Sequence, residues 1–94
     1  MDYEFTNEFL KDLKRFRPDR KLLQNLEAKI NHTYNSASIE QLDGFIRIRG
    51  TTTHYLFKIK TNKTIYRIGV KRIKKVIWFA CIDNNKKRFY KRFP

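Results

Sequence analysis

His54-Tyr55-Leu56-Phe57-Lys58-Ile59-Lys60-Thr61-Asn62-Lys63-Thr64-Ile65-Tyr66-Arg67-Ile68-Gly69-Val70-Lys71 is the stretch whose reading decides the fold. Tyr55, Phe57 and Ile59 alternate with Leu56, Lys58 and Lys60, and Tyr66, Ile68 and Val70 alternate with Ile65, Arg67, Gly69 and Lys71. A period of two marks half-buried strands. Asn62-Lys63 reads as a two-residue hairpin loop closed by Thr61 and Thr64. Ile59 then faces Tyr66, Phe57 faces Ile68 and Tyr55 faces Val70, so one face is apolar. On the other face Lys58 lies across from Arg67, with Lys60 and Lys71 nearby. A slip of one residue would bury the cations and expose the aromatics, so the pattern selects this register. Like charges directly opposite each other repel. The cationic face therefore costs stability unless an anion sits on it. The plain alternative is a solvated face whose lysines discourage edge pairing.

Outward from the hairpin, residues 76–82 form a continuous apolar run, as in a strand buried on both sides. Upstream, Phe9, Leu10, Leu13 and Phe16 mark one face of a helix over 6–16, capped by Thr6 and closed by Arg17-Pro18. Pro18 suits the first turn of a second helix running to about Tyr34, with Leu22, Leu23, Leu26 and Ile30 on its apolar side. Residues 3–5 read as a short strand, 35–38 as a loop and 45–49 as a brief strand; Asp83-Asn84-Asn85 can cap a last helix through Tyr90. The order predicts an α+β fold with an N-terminal helical hairpin on one face of a small twisted antiparallel sheet, and a short C-terminal helix. A single domain over 1–94 is expected.

Charge is segregated along the chain. Residues 1–43 carry seven Lys/Arg against eight Asp/Glu, and residues 44–94 carry fifteen against Asp83 alone, net −1 and +14 within an overall +13. A basic half of that size points to a polyanion, nucleic acid first, because neutralising phosphates releases counterions. The run Lys86-Lys87-Arg88-Phe89-Tyr90-Lys91-Arg92-Phe93 interleaves cations with rings, which suits single-stranded RNA. Phe89 and Phe93, at i and i+4, read better as core anchors that leave Tyr90 free. Arg47, Arg49, His54, Lys71, Arg88 and Lys91 are the cations expected to hold RNA around Lys58, Lys60, Arg67, Lys86 and Tyr90.

Other chemistry is absent from the pattern. His32 and His54 lack partners at metal-ligand spacing, and there is neither a Gly-rich phosphate loop nor a Ser-His-Asp set. No metal or cofactor is expected. Cys81 lies in the apolar run and reads as core. No apolar run approaches 18 residues and the N-terminus lacks a signal pattern, so the expectation is a cytoplasmic protein without a membrane partner.

Four stretches resemble the RelE/ParE superfamily of bacterial type II toxin–antitoxin toxins: Phe9-Leu10-Lys11-Asp12-Leu13-Lys14, residues 55–60, Tyr66-Arg67-Ile68-Gly69, and Phe89-Tyr90-Lys91-Arg92-Phe93-Pro94. The resemblance implies a RelE/ParE-like fold and a toxin held inactive by a cognate antitoxin. RelE-like members cut mRNA in the ribosomal A site, beside ribosomal RNA; ParE-like members inhibit DNA gyrase and cleave nothing. In the RelE-like branch two strand lysines, a strand arginine and a C-terminal tyrosine act on RNA, and Lys58, Lys60, Arg67 and Tyr90 match them. The His-Arg pair of many relatives is replaced by Asn85 and Lys86, and no His follows His54. A metal-independent endoribonuclease would then use Lys58 as base, Arg67 to stabilise the phosphorane and Lys86 or Arg88 to assist the leaving group. A gyrase inhibitor, or a catalytically silent RNA- or antitoxin-binding member, is the alternative.

Overall fold

The computed structural model describes residues 1–93; Pro94, the last residue of the C-terminal motif, lies outside the described residues. The elements run β1 (Asp2–Phe5), α1 (Asn7–Phe16), α2 (Arg20–Asn35), a 3₁₀ turn (Ile39–Gln41), β2 (Ile46–Arg47), β3 (His54–Lys60), β4 (Ile65–Ile73), β5 (Val76–Asp83) and α3 (Lys86–Arg92). Five strands lie in the order β1-β5-β4-β3-β2. The hairpin register is the expected one: Tyr55↔Val70, Phe57↔Ile68, Lys58↔Arg67 and Ile59↔Tyr66.

The sheet is mixed, which corrects the antiparallel expectation. β1 runs parallel to β5, with Tyr3 opposite Ile77 and Phe5 opposite Phe79. Two helices separate β1 from the hairpin, so the chain can return to β5 in the same direction. The second helix also starts later than expected. Pro18 precedes it, and Asp19 caps it by accepting from the Leu22 N–H at 3.2 Å. Asp19 accepts the Tyr66 hydroxyl as well, at 2.8 Å. That bond holds Asp19 below the usual carboxylate range, while burial and the same contact push Tyr66 up to about 12.

α1 packs over β5, and α2 over β1 and β3. Phe9, Leu22 and Leu26 meet Phe57, Ile59, Tyr66, Ile68, Val70, Ile77, Phe79 and Ile82 in the main core. Ile77 and Phe79 share that face with Ile82 although their parities differ, because a bulge between Gly69 and Val70 leaves Ala80 without a partner. Beyond the bulge the parity of β5 is inverted. Asp83 is thereby turned to the outer face, in register with Arg67.

The outer face is not left open, as the hairpin alone would suggest. α3 lies on it, burying Phe89 and Phe93 against Leu56, Ala80 and Cys81. Phe93 packs onto Gly69, where an added Cβ would come within 2.7 Å of the ring. The helix extends to Arg92, beyond the expected end at Tyr90, and Asn85 caps it by accepting from the Arg88 N–H at 2.8 Å. No helix among the described residues is long and apolar enough to cross a membrane.

Candidate nucleic-acid interface on the outer sheet face

Lys58, Arg67 and Asp83 form a row across β3, β4 and β5 on the outer face. Thr61 N–H donates to the Thr64 carbonyl at 2.9 Å, so hydrogen-bonded pairs alternate from that point. Lys58–Arg67 is then a non-hydrogen-bonded pair, the kind in which Cα atoms approach to about 4.5 Å and side chains crowd. Lys58 and Lys60 are exposed, whereas Arg67 is half-buried. Its Nε is buried and has no hydrogen-bond partner. Buried polar groups are almost always paired, so the orphaned Nε–H shows that the Arg67 guanidinium is left without a counterion among the described residues.

The reason Arg67 has no counterion lies one strand away. Asp83, with its side chain fully buried, is held by two arginines of α3. Arg88 donates from Nε to Oδ1 at 3.0 Å and to Oδ2 at 2.9 Å, and from Nη2 to Oδ1 at 2.8 Å. Arg92 donates from Nη1 to Oδ2 at 3.0 Å and from Nη2 to Asp12 Oδ2 at 2.7 Å. Asp12 in turn accepts the Ile82 N–H at 2.9 Å, so α1, β5 and α3 are tied together at one point. Burial would raise the Asp83 carboxyl, but hydrogen bonds from Arg88, the Asn85 backbone and Arg92 outweigh it and hold Asp83 below the usual range. Its native value thus lies below the unfolded one. The stability it contributes is complete above about pH 4 and is lost as pH falls through the lower native value. Asp83→Asn is expected to show a shallower acid limb than wild type in urea melts from pH 7 to 2. Parallel acid limbs would show that this carboxylate is not linked to folding.

Helical geometry sorts the remaining candidates. Residues four apart share a flank, so Arg88 and Arg92 face β5 while Phe89 and Phe93 face the sheet. Lys86 and Tyr90 are then on the opposite flank of the helix. Both are exposed, Tyr90 at 41%, with its ring edge-on to Phe89 at 5.2 Å. Lys91 points outward with Lys87.

His54 and Lys71 sit opposite each other in register at the far end of α3. The His54 ring is 4.9 Å from Phe93 and the Lys71 ammonium is 6.0 Å from the same ring. Burial, then Lys71, holds the His54 imidazole below its usual range. Arg47 is in register with Tyr55, on the face of α1 and α2 rather than that of Lys58, and Arg49 is exposed in the loop beyond β2. The structure places Lys58, Lys60 and Arg67 on one face of the β3–β4 hairpin, and leaves Lys86 and Tyr90 exposed on α3. It engages Arg88 with Asp83 and sets His54, Lys71, Arg47 and Arg49 apart.

The pairing of α2 with β3 was not legible from the pattern. A cleft of about 330 Å³ beside Lys58 and Lys60 is lined by Asn25, Ala28, Lys29 and His32. Lys29 itself donates to the Asp43 carbonyl at 2.8 Å, which leaves Asn25 and His32 as the added polar groups of that wall. A larger concavity, about 680 Å³, lies at the other end of the sheet, around Tyr34, Arg72, Lys74 and Lys75. An extended RNA strand needs an open track of cations and rings rather than an enclosed cavity, so size does not decide the site. Cys81 is buried under α3 and its thiol is pushed up to about 11, which suits core packing and not nucleophilic chemistry.

No protein-family model and no curated protein matches the chain. Solved structures do. A chain of the intact E. coli RelBE toxin–antitoxin complex is similar with a TM-score of 0.66 at 21% identity, over 90% of this chain and 96% of that one. A chain of the RelB–RelE antitoxin–toxin complex from Methanococcus jannaschii is similar with a TM-score of 0.68 at 28% identity, over 96% and 98%. The first likeness is one of fold alone.

Proposed function

We propose that this chain is the toxin of a toxin–antitoxin pair, and that it is a metal-independent endoribonuclease cutting mRNA in the ribosomal A site. The fold shared with chains of RelB–RelE complexes supports the toxin–antitoxin role. The observation that carries the nuclease reading is the Arg67 guanidinium, without a counterion among the described residues and with an unpaired Nε, directly across from Lys58.

Cleavage needs three things at one phosphodiester: removal of the 2′-hydroxyl proton, stabilisation of the phosphorane and protonation of the departing 5′ oxygen. Lys58, with Lys60 beside it, takes the proton as the 2′ oxygen bonds to phosphorus. Arg67 receives the added charge, because its planar fork matches two phosphate oxygens and its backbone is fixed between two strands. Lys86 gives a proton to the 5′ oxygen as the P–O5′ bond breaks, and Tyr90 stacks on a base to align the strand. The outlying Arg49, His54, Lys71 and Lys91 hold flanking phosphates of mRNA or ribosomal RNA, whereas Arg47, on the other face of the sheet, is not part of that track. An antitoxin that is acidic where it meets residues 44–94 would cover the same charge.

Primer extension on mRNA after induction in cells tests this directly. Discrete cuts confined to translated regions, accompanied by growth arrest, are the expected result. Growth arrest with intact mRNA and inhibited gyrase supercoiling would overturn it in favour of a gyrase-directed toxin.

A further inference from the structure

One buried carboxylate has two arginines in contact with it and a third in register on the adjacent strand. Asp83 is the direct cross-strand neighbour of Arg67, yet its oxygens are taken by Arg88 and Arg92 from α3. Arg88 makes three of those contacts and covers both Oδ1 and Oδ2. Among the described residues Arg67 has no ion pair, and its buried Nε–H is unpaired. We infer that Arg88 is a positioning residue: by occupying Asp83 it keeps that carboxylate from capturing Arg67, and so leaves the Arg67 fork free for a phosphodiester.

The logic is competition for one acceptor. An Arg–carboxylate pair between adjacent strands on one face is a favourable cross-strand contact, so in isolation Arg67 and Asp83 would pair. A paired Arg67 could bind phosphate only after breaking that contact, and its charge would be neutralised at the point where RNA charge develops. Arg92 alone does not prevent this, because it contacts Oδ2 and shares its guanidinium with Asp12 and the Ile82 carbonyl. Without Arg88, Oδ1 keeps only the Asn85 N–H. That oxygen is the one left for Arg67. Arg88 thus acts on RNA through Asp83 and Arg67, not by touching phosphate itself.

This inference rests on the reading of Arg67 as the phosphate-holding group, and the test separates the two. Binding of a short single-stranded RNA is measured by fluorescence anisotropy for wild type, Arg67→Ala, Arg88→Ala, Arg88→Lys and Asp83→Asn/Arg88→Ala. Lys87→Ala, which removes one charge from the outward side of the same helix, sets the purely electrostatic baseline. Arg88→Ala is expected to weaken binding about tenfold, well beyond Lys87→Ala, as loss of one charge-assisted contact would. Arg88→Lys, which keeps a cation on Asp83, and the double variant, which removes the competing carboxylate, are expected to bind within about threefold of wild type. The Arg67 Nε–H resonance should shift in Arg88→Ala and return in the double variant. A role for Arg88 confined to holding α3 would leave the double variant no better than the single one, and that result overturns the inference. An Arg88→Ala effect equal to that of Lys87→Ala overturns it too. Should Arg88→Ala melt below the assay temperature, Arg88→Gln with and without Asp83→Asn carries the same comparison. If Arg67→Ala binds RNA as wild type does, it is the nuclease reading that fails.

Discussion

Arg67→Ala is expected to lower mRNA cleavage by about 100–1000-fold, or roughly 3–4 kcal/mol of transition-state stabilisation, whereas Lys63→Ala leaves cleavage within a few-fold of wild type. Both substitutions remove one positive charge from the same hairpin. Lys63 is exposed at the turn tip, where a cation adds only general attraction for phosphate. Arg67 is anchored in β4 between β3 and β5, is half-buried, and its guanidinium has no carboxylate partner among the described residues. A donor preorganised in that way needs no rearrangement as charge develops on the phosphorane, which is why its loss falls on rate rather than on encounter. Neither change should unfold the domain. Removing the Arg67 head group relieves a buried unsatisfied N–H, so thermal melts are expected to be unchanged or slightly higher for Arg67→Ala. Cleavage by primer extension, toxicity by growth arrest and folding by thermal melt would be read on both variants. Equal, modest losses would mean that a diffuse basic surface binds RNA without catalysing anything.

Phe89→Ala is expected to cost about 3–5 kcal/mol of folding stability, the range for a fully buried aromatic whose surroundings collapse only in part. Phe89 is 0% exposed and packs on Leu56, Ala80, Cys81 and Phe93. With that anchor gone, a helix of seven residues has little intrinsic stability. Only Phe93 on Gly69 and the Arg88–Asp83–Arg92–Asp12 cluster would still hold it. Because the whole domain is stabilised by only about 5–15 kcal/mol, the loss is a large fraction of the total. Tyr90→Ala, one residue along and 41% exposed, should cost under about 1 kcal/mol and yet impair RNA cleavage. Urea denaturation of both variants checks the contrast. A Phe89→Ala loss below about 1 kcal/mol would mean that α3 is not docked on the sheet in solution.

The hairpin was legible in the sequence because two strong constraints act within eighteen residues. Side chains alternate with a period of two, and a two-residue loop leaves one register in which every apolar pair shares a face. That local geometry alone places Lys58 beside Arg67. The capping residue Thr6 and the shared face of Phe89 and Phe93 were legible for the same reason, since each depends on spacing within about one helical turn.

What the tertiary structure decided are the contacts between elements distant in sequence. No periodicity states that β1 returns parallel to β5, because that pairing depends on how two helices cross the sheet. Nothing in the run 76–82 announces a bulge at Ala80, since an apolar residue on every position hides the inversion of parity. Yet that inversion sets Asp83 on the outer face, where it meets Arg88 and Arg92 instead of the helices of the main core. Composition counted Arg88 and Arg67 as equivalent cations. The sequence by itself determined which strand face would be basic, through alternation and turn chemistry. Which of its arginines is spent on a carboxylate and which remains free was decided only by the docking of α3 over Gly69 and the bulge in β5, because a buried acceptor has room for a limited set of donors and geometry chooses among them.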